Sequence, residues 1–413
     1  MSPFATLIVI LSGASLLLLG NGLFGTLLGV RASLESFGIA TTGIIMSAYF
    51  LGYTIGSFLC VRAVDRVGHI RTLSAVSAIL AATAVSHAIL VGPVAWGIFR
   101  LVTGTCIVGF FLVIESWLNS ITPDEMRGRV FSIYMTVNLM AVASGQFLLT
   151  LANPKDFLLF GVVAILFSLS LVPTALAQID APAPRAAGGL SLAQLFSASP
   201  VGTIGSLTCG FVAGSFWGMG PVLGNKIGLS QSEIATFMSA VILGGMLAQW
   251  PIGSISDRVD RRKVIIAVAA LGTVAAALVV VLVKVSLVAF LIASAVFGAA
   301  LFPLYSLAVA RTHDVLGTEN VLAATRGLVL VFGIGAVFGP LVSGWVMEAF
   351  APLAMFALIS GIYASYGAYA VYRVPRGETV PAAEQSAFVP LIRTSQEAIE
   401  IAQASNLAKE EDE

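Results

Sequence analysis

Long apolar segments separated by short polar ones run along almost the whole chain. A helix that crosses a bilayer needs about 20 mostly apolar residues, and twelve segments meet this requirement when the sequence is divided at its charges and Pro/Gly breaks. These segments are 4–30, 38–61, 72–92, 94–120, 130–152, 157–177, 200–223, 234–255, 264–283, 285–309, 321–347 and 350–372. The pattern predicts an all-α membrane protein with twelve transmembrane helices.

One longer polar interval, QIDAPAPRAAGGLSLAQLFSAS, divides the segments six and six. Its Pro, Ala and Gly content is typical of a linker. We expect an N-terminal six-helix bundle over 1–177, a cytoplasmic linker over 178–199, a C-terminal six-helix bundle over 200–375 and an acidic cytoplasmic tail over 376–413. From residue 378 the tail carries eight acids against Arg393 and Lys409, which favours a solvated or disordered segment in which 395–408 could form a short helix.

The composition supports a bilayer as the solvent of this chain. Of its 413 residues, 58% are hydrophobic and 10% are charged, and the mean hydropathy is +0.98. A soluble protein of this size could not bury so much apolar surface. The net charge of zero and the lack of a basic domain argue against nucleic acid as a partner. Cys60, Cys106 and Cys209 are scattered in apolar segments, so we expect no disulfide, no metal site and no cofactor.

Lys and Arg are distributed unevenly between the two sides of the predicted spans. If the N-terminus is cytoplasmic, the inner loops and the end of the last span carry thirteen of them and the outer loops four. Positive loops stay on the cytoplasmic side. The sequence therefore predicts a multi-pass protein of the cell (inner or cytoplasmic) membrane with both termini in the cytoplasm.

The sequence matches itself at an offset of 192 residues. Without a gap, 46–48 aligns with 238–240, 51–52 with 243–244 and 65–67 with 257–259, which gives eight identities within 22 positions. Six spans return the chain to its starting side, so the two halves are parallel copies. This pattern predicts two pseudo-symmetric six-helix bundles with a substrate site near the midplane between them.

The loop after span two, and its copy after span eight, resembles the signature loop of the major facilitator superfamily, Gly-x-x-x-Asp-Arg-x-Gly-Arg-Lys. The first copy has Val61 at the opening glycine position, and the second has Asp260 where glycine is usual, which predicts unequal roles for the two loops. The matching positions are Asp65, Arg66, Gly68 and Arg71 in the first copy, and Gly253, Asp257, Arg258, Arg261, Arg262 and Lys263 in the second. The resemblance covers nearly all of 1–375, leaves out the tail, and implies the major facilitator fold.

We interpret these two loops as a conformational latch. A carboxylate can accept N–H bonds at a neighbouring helix N-terminus while arginines bridge to other helix ends. Such contacts would hold one state of a rocking bundle and break in the other. The alternative, that the basic residues only set the topology, leaves Asp65 and Asp257 without a role, because acids contribute little to topology.

A narrower resemblance is to the YcaD-type members of the superfamily. It rests on RVGHIR at 66–71, ESWLN at 115–119 and FPLYSLAVA at 302–310. Because those members are transporters of poorly defined substrate, this likeness adds little about function.

Three charged residues, Arg100, Glu115 and Arg326, lie within predicted spans. A charge at a helix centre costs about 2.5–3.5 kcal/mol on insertion scales, so such residues usually face a cavity or a partner. The helical stripe of Arg100 and Glu115 also holds Gly104, Phe111 and Asn119, which predicts one wet face on span four.

Arg100 to Gly104 resembles the Arg-x-x-x-Gly pattern that proton antiporters of the superfamily use in coupling. Glu115 is the leading candidate for a proton carrier. Two alternatives stay open: Glu115 pairs with Arg326 or a loop arginine to close the cytoplasmic mouth, or it is a scaffold residue.

Several polar or aromatic residues are weaker candidates for substrate contacts. Interhelical hydrogen bonds explain such residues equally well. The candidates are Asn21, Asn119, Asn138, Gln146, Trp217 and Tyr305.

These features predict a secondary active transporter that moves a small organic solute by alternating access. We expect proton coupling, with the direction open and efflux slightly favoured. The expected partners are a small-molecule substrate, protons and the lipid bilayer, and the expected state is a monomer. The alternative is a transporter-like sensor or assembly partner acting through the acidic tail. A primary pump is excluded by the lack of a GxxxxGK[ST] stretch, and an enzyme is not expected because no catalytic cluster occurs.

Overall fold

The computed structural model describes residues 3–123, 126–176, 191–316, 321–376, 380–381, 385–386 and 388–389. The regular elements in these residues are helical, and twelve helical spans are long and apolar enough to cross a membrane, as predicted. The α-helices are α1 Pro3–Leu34, α2 Ile39–Val67, α3 His69–Ile89, α4 Pro93–Ile121, α5 Arg127–Phe147, α6 Phe157–Leu169, α7 Leu171–Leu176, α8 Leu192–Ala198, α9 Pro200–Lys226, α10 Gln231–Ser256, α11 Arg261–Leu282, α12 Leu287–Leu316, α13 Val321–Ala349 and α14 Ala354–Arg373. The short helices α6 and α7 together form the sixth span, and α8 lies outside the spans.

Local sequence explains where several helices begin. Proline occupies the first turn of α4 and of α9, where its missing N–H has no helical partner to lose. The chain turns between α2 and α3 at Gly68, whose φ of +86° lies in the left-handed region that glycine tolerates. Ser230 and Glu233 form a reciprocal capping box at the start of α10.

The two halves pack alike, as the internal repeat predicts. In the N-terminal half α2 crosses α4 so closely that a Cβ at Gly52 would collide with the carbonyl oxygen of Leu101. In the C-terminal half α10 crosses α12 in the same way, with Gly244 against the carbonyl oxygen of Ala295. Gly52 and Gly244 are 192 residues apart, so the matched glycines of the repeat permit the matched helix crossings.

Within the described residues, the bundles meet chiefly through the helix pairs α1 with α9, α2 with α13, and α5 with α10. Close contacts lie at the ends of these helices that are remote from the signature loops. A Cβ at Gly43 would come within 2.5 Å of the carbonyl oxygen of Pro340, and the Ala40 amide donates to Glu348 Oε2 at 2.6 Å. The two bundles are therefore closed against each other on the side opposite to the signature loops.

The part of the linker that the structure describes forms α8. Ser191 and Gln194 cap its N-terminus reciprocally, and buried Leu195 packs against Gly327 of α13. Most of the predicted linker, including Arg185, lies outside the described residues. The sequence did not predict that the end of the linker would be a helix against α13.

The start of the tail differs from its prediction. Phe388 and Val389 pack against the hydrophobic core of the C-terminal half, so this part of the tail is docked rather than solvated. The prediction overlooked that apolar residues precede the acidic end of the chain. The predicted helix over 395–408 lies outside the described residues.

Candidate functional site

A cavity of about 90 Å³ is formed by the N-terminal bundle together with Trp217 of the C-terminal bundle. We call it the central cavity. It is lined by Leu18, Asn21, Gly22, Gly25 and Thr26 of α1, Tyr49, Phe50 and Tyr53 of α2, Arg100 and Phe111 of α4, Met135, Asn138, Leu139 and Val142 of α5, and Trp217 of α9. Its walls combine aromatic and aliphatic surface with a few polar groups, which is the usual composition of a small-molecule site.

Arg100 is the charged residue of the central cavity wall. It is 5% exposed, and its guanidinium carbon lies 4.2 Å from the centroid of the Tyr49 ring. The close crossing of α2 and α4 brings the two residues together, since Gly104 packs against the backbone of Tyr49. A cation over an aromatic face gains electrostatic attraction that helps to offset its desolvation.

A second, larger cavity of about 550 Å³ adjoins the central cavity, and we call it the vestibule. The two cavities share Phe50 and Tyr53 as lining residues. The vestibule reaches the protein surface at the exposed residues Arg62 and Ser191. It is lined by Phe50, Tyr53, Thr54, Ser57, Phe58, Val61, Arg62, Ser191, Leu192, Tyr305, Arg326, Gly327, Val329, Leu330, Phe332, Gly333 and Ala336. The vestibule thus opens toward the side that carries the signature loops.

Four of the six predicted substrate-contact residues line a cavity in the structure, and two do not. Asn21, Asn138 and Trp217 line the central cavity, and Tyr305 lines the vestibule. Neither wall includes Asn119 or Gln146.

Gln146 instead joins helices α1 and α5. Its amide donates to the carbonyl oxygens of Gly22 and Val142 at 3.1 Å each, and its carbonyl accepts the hydroxyl of Thr26. The alternative of an interhelical hydrogen bond therefore accounts for Gln146.

The predicted wet face of α4 is wrong over much of its length. Arg100 and Phe111 face the central cavity, but Gly104 faces α2 and Glu115 is fully buried. The stripe was read from helical spacing alone, which carries no information about the neighbours α2 and α5 that cover it.

Glu115 lies in the interior of the N-terminal bundle. Its Oε1 accepts a hydrogen bond of 3.2 Å from the phenol of Tyr134 on α5, and both side chains are fully buried. Sequence reasoning missed Tyr134, because no spacing rule connects it to Glu115. Of the other predicted gate residues, Arg326 is half-buried in the vestibule wall.

The C-terminal signature loop forms a dense polar network around Arg261. Its side chain is fully buried, and its Nη1 donates to both carboxylate oxygens of Asp314 at 2.6 Å. Its Nε donates to Ser256 Oγ at 3.0 Å, and its Nη2 lies 3.4 Å from Asp257 Oδ1. The network therefore ties α10, α11 and α12 together at one end of the bundle.

The docked part of the tail completes this network. The Ser386 amide donates to Asp314 at 2.9 Å, and the Ser386 carbonyl accepts Arg261 Nη2 at 2.5 Å. The Phe388 amide donates to Asp257 Oδ1 at 2.8 Å, and the Phe388 ring covers Gly253, where a Cβ would collide with it. Asp257 thus accepts a hydrogen bond from the tail. We had expected it to accept one from a neighbouring helix N-terminus.

Two other charged residues of this loop form a local pair. Asp260 caps α11 by accepting the Arg262 amide at 3.0 Å, and Arg262 Nη2 donates to its other oxygen at 2.8 Å. These hydrogen bonds hold the pKa of Asp260 below its usual value of 3.8. Burial raises the pKa of Asp257, although the Phe388 amide and Arg261 act in the opposite direction.

The N-terminal signature loop is far more open. The side chains of Asp65, Arg66 and Arg71 are exposed, and within the described chain no hydrogen bond or ion pair to any of them occurs. Instead His69 forms a contact of 3.0 Å with Ser116 Oγ and stacks on Trp117 with the ring centroids 6.1 Å apart. The structure thereby brings together RVGHIR and ESWLN, two of the motifs behind the narrower resemblance.

Sequence reasoning missed Asp314 and Ser386, the partners of Arg261. Asp314 follows the long apolar segment of α12, and at the repeat-related position stands Thr122, so the internal repeat gave no signal for it. The only signal for Asp314 was its position: an acid near the end of a span on the side of the signature loops.

The sequence model of the Major Facilitator Superfamily matches residues 10–201 and again 202–405. The second match runs past residue 375, so the likeness reaches further into the tail than we expected. The chain is 26% identical over 359 residues to the uncharacterized MFS-type transporter YcaD of Escherichia fergusonii, covering 86% of this chain and 92% of that protein. It is 28% identical over 366 residues to YcaD of Shigella flexneri, with the same coverage.

Solved structures of transporters share the fold. The nucleoside transporter NupG superposes with a TM-score of 0.73 at 16% identity over 92% of this chain and 100% of that one. A bacterial homolog of the human lysosomal transporter Spinster, in an inward-facing and unoccupied conformation, superposes with a TM-score of 0.67 at 16% identity. The match covers 99% of this chain and 96% of that one. At such low identity these likenesses show the fold alone.

Proposed function

Because the chain belongs to the Major Facilitator Superfamily and resembles its YcaD-type members, we propose that it is a secondary active transporter that moves a small organic solute by alternating access. The observation that carries this proposal is that the central cavity and the adjoining vestibule, which opens toward the signature loops, lie beside bundles that are closed against each other on the opposite side. A solute held beside Arg100 and Trp217 would leave on the other side once the bundles rock about it.

The signature loops act in this proposal as unequal conformational latches. The C-terminal loop joins α10, α11, α12 and the tail into one unit, so this end of the C-terminal bundle moves as a rigid body. The exposed acid and arginines of the N-terminal loop are available for contacts that form in a different conformation. The two loops therefore contribute to different parts of the cycle.

Proton coupling belongs to the proposal, with Glu115 as the carrier. A carboxylate shielded from water and held by the phenol of Tyr134 can bind a proton in one conformation and release it in another. Export is the direction favoured by the aromatic and aliphatic walls of the path, because such walls suit amphiphilic compounds. We place the protein in the cell (inner) membrane as a monomer with both termini in the cytoplasm.

Proteoliposome flux with Glu115→Gln tests the coupling. The variant should lose gradient-driven accumulation and keep substrate exchange, because glutamine mimics the protonated acid. Glu233→Gln, which alters a half-buried helix-capping acid that lines neither cavity, is the matched control and should keep both activities. Full gradient-driven transport by Glu115→Gln would remove Glu115 as the carrier. If Glu115 is instead a gate residue that pairs with Arg326, the charge swap Glu115→Arg with Arg326→Glu should restore part of the lost flux.

Cysteine labelling tests the orientation. A cysteine at exposed Ser191 should react with an impermeant maleimide only from the cytoplasm, and one at exposed Ser230 only from outside. Labelling of both from the same side would contradict the span count. A protein that binds solutes and never transports them would favour the sensor function, acting through the tail that contacts the signature loop.

A further inference from the structure

The charges along the solute path have one sign. Among the described residues that line the two cavities, three carry a full charge at neutral pH, and all three are arginines: Arg62, Arg100 and Arg326. A cavity lined by charge of one sign concentrates ions of the opposite sign, because its low-dielectric walls focus the field.

The three arginines follow the path in order. Arg62 lies exposed at the mouth of the vestibule, Arg326 is half-buried in the vestibule wall, and Arg100 lies deepest, in the central cavity. Positive-inside topology explains Arg62, which is at the end of α2. It does not explain Arg100 and Arg326, because an arginine inside a span opposes insertion by about 2.5–3.5 kcal/mol.

The rest of the central cavity is suited to an organic body. Trp217, Phe50 and Phe111 present aromatic surface, while the amides of Asn21 and Asn138 supply neutral hydrogen-bonding groups. The guanidinium of Arg100 offers several N–H donors in a planar fork that matches a carboxylate. Because Tyr49 stacks on one face of that guanidinium, a planar carboxylate would approach the group along its edge.

We propose that the transported solute is a small amphiphilic carboxylate, bound by Arg100 through its carboxylate and by the aromatic wall through its apolar body. This proposal rests on the proposed transport function and narrows its substrate class. The arginines of the vestibule attract the anion from the side of the signature loops, and the central cavity then holds it at the midplane.

The test measures binding to the purified full-length protein by thermal shift, without any transport step. Each set of probes keeps one apolar body and varies the head group among carboxylate, amide and amine. The phenyl set is phenylacetate, phenylacetamide and phenethylamine, and the other two sets carry an indole or a hexyl body. We expect at least one carboxylate to raise the melting temperature while its amide and amine do not at equal concentration. No preference for the carboxylate in any set would overturn the proposal.

The variants locate the binding. Arg100→Gln should weaken carboxylate binding at least about 10-fold, and Arg100→Lys should recover part of the loss, because a charge-assisted hydrogen bond contributes about that much. Arg129→Gln, an exposed arginine outside both cavities and both signature loops, is the matched control and should bind like the wild type. Should Arg100→Gln not fold, Arg326→Gln serves in its place with a smaller expected loss. Unchanged affinity in a folded Arg100→Gln would also overturn the proposal.

Flux separates this inference from the function it rests on. Carboxylate binding without flux in proteoliposomes would support the substrate class and contradict transport. Flux of neutral or cationic solutes without any carboxylate flux would support transport and contradict the substrate class.

Discussion

The two signature loops come from one repeated sequence and yet are built differently. Arg261 of the C-terminal loop and His69 of the N-terminal loop are 192 residues apart and both link their helix to the fourth span of their bundle. Arg261 does so through a buried ion pair with Asp314, whereas His69 uses a neutral contact with Ser116. The C-terminal loop is also covered by the tail. A shared position can therefore keep its structural task while the strength of its contact diverges.

The largest expected effect comes from breaking the buried ion pair. Arg261→Met should lower the free energy of unfolding by about 3–5 kcal/mol, because it leaves the buried carboxylate of Asp314 unpaired. Thermal unfolding in detergent measures this loss of stability. The double variant Arg261→Met with Asp314→Leu should be more stable than either single variant. The matched change His69→Ala should cost about 1 kcal/mol. Equal losses at the two positions would contradict the asymmetry.

The next effect concerns the loop acids. Asp257→Asn should reduce flux strongly with expression near normal, because asparagine still accepts the Phe388 amide while the charge next to Arg261 is lost. Asp65→Asn should reduce flux less, since its carboxylate is exposed and makes no such contacts. Flux assays normalised to the amount of reconstituted protein make the comparison. Equal losses, or normal flux in both variants, would show that the loops do not differ in this way.

A smaller effect is expected from the tail. Phe388→Ala should uncover Gly253 and lower the melting temperature modestly, because the ring is only partly buried. Limited proteolysis should then cut the chain after residue 376 faster than in the wild type. Phe350→Ala, an exposed phenylalanine in the turn after α13, is the control and should change neither measurement. If Phe388→Ala were cleaved at the same rate as the wild type, the ring would not anchor the tail.

The smallest effect is the pH dependence at Asp260. Because hydrogen bonds lower its folded-state pKa below 3.8, its contribution to stability is present above that unfolded-state value and is lost as the pH falls through the folded-state value. Asp260→Asn should cost less than about 1 kcal/mol at pH 7, because asparagine still caps the helix but loses the partly exposed ion pair with Arg262. The difference in melting temperature between variant and wild type should shrink toward pH 3. A constant difference from pH 7 to pH 3 would exclude this linkage.

The sequence predicted the fold more fully than the site. Twelve spans and their duplication follow from apolar length and the 192-residue match, because a bilayer imposes the same requirement on every span. Asn21, Asn138 and Trp217 could be selected as polar or aromatic residues inside spans, and they do line the central cavity. The contacts of Tyr49 with Arg100, and of Asp314 with Arg261, depend on how helices cross, which residue spacing along one helix does not determine.

Alternating access itself is tested most directly by a cross-link that needs no known substrate. Cysteines replace Ala40 and Gly344, which lie against each other where the bundles close, in a protein whose three native cysteines are removed. A further cysteine at Asn21 reports access to the central cavity through an impermeant maleimide. The account predicts labelling of this residue from both sides in the reduced protein and only from the side of the signature loops after oxidation. Persistent labelling from the opposite side after cross-linking, or none from that side in the reduced protein, would contradict it.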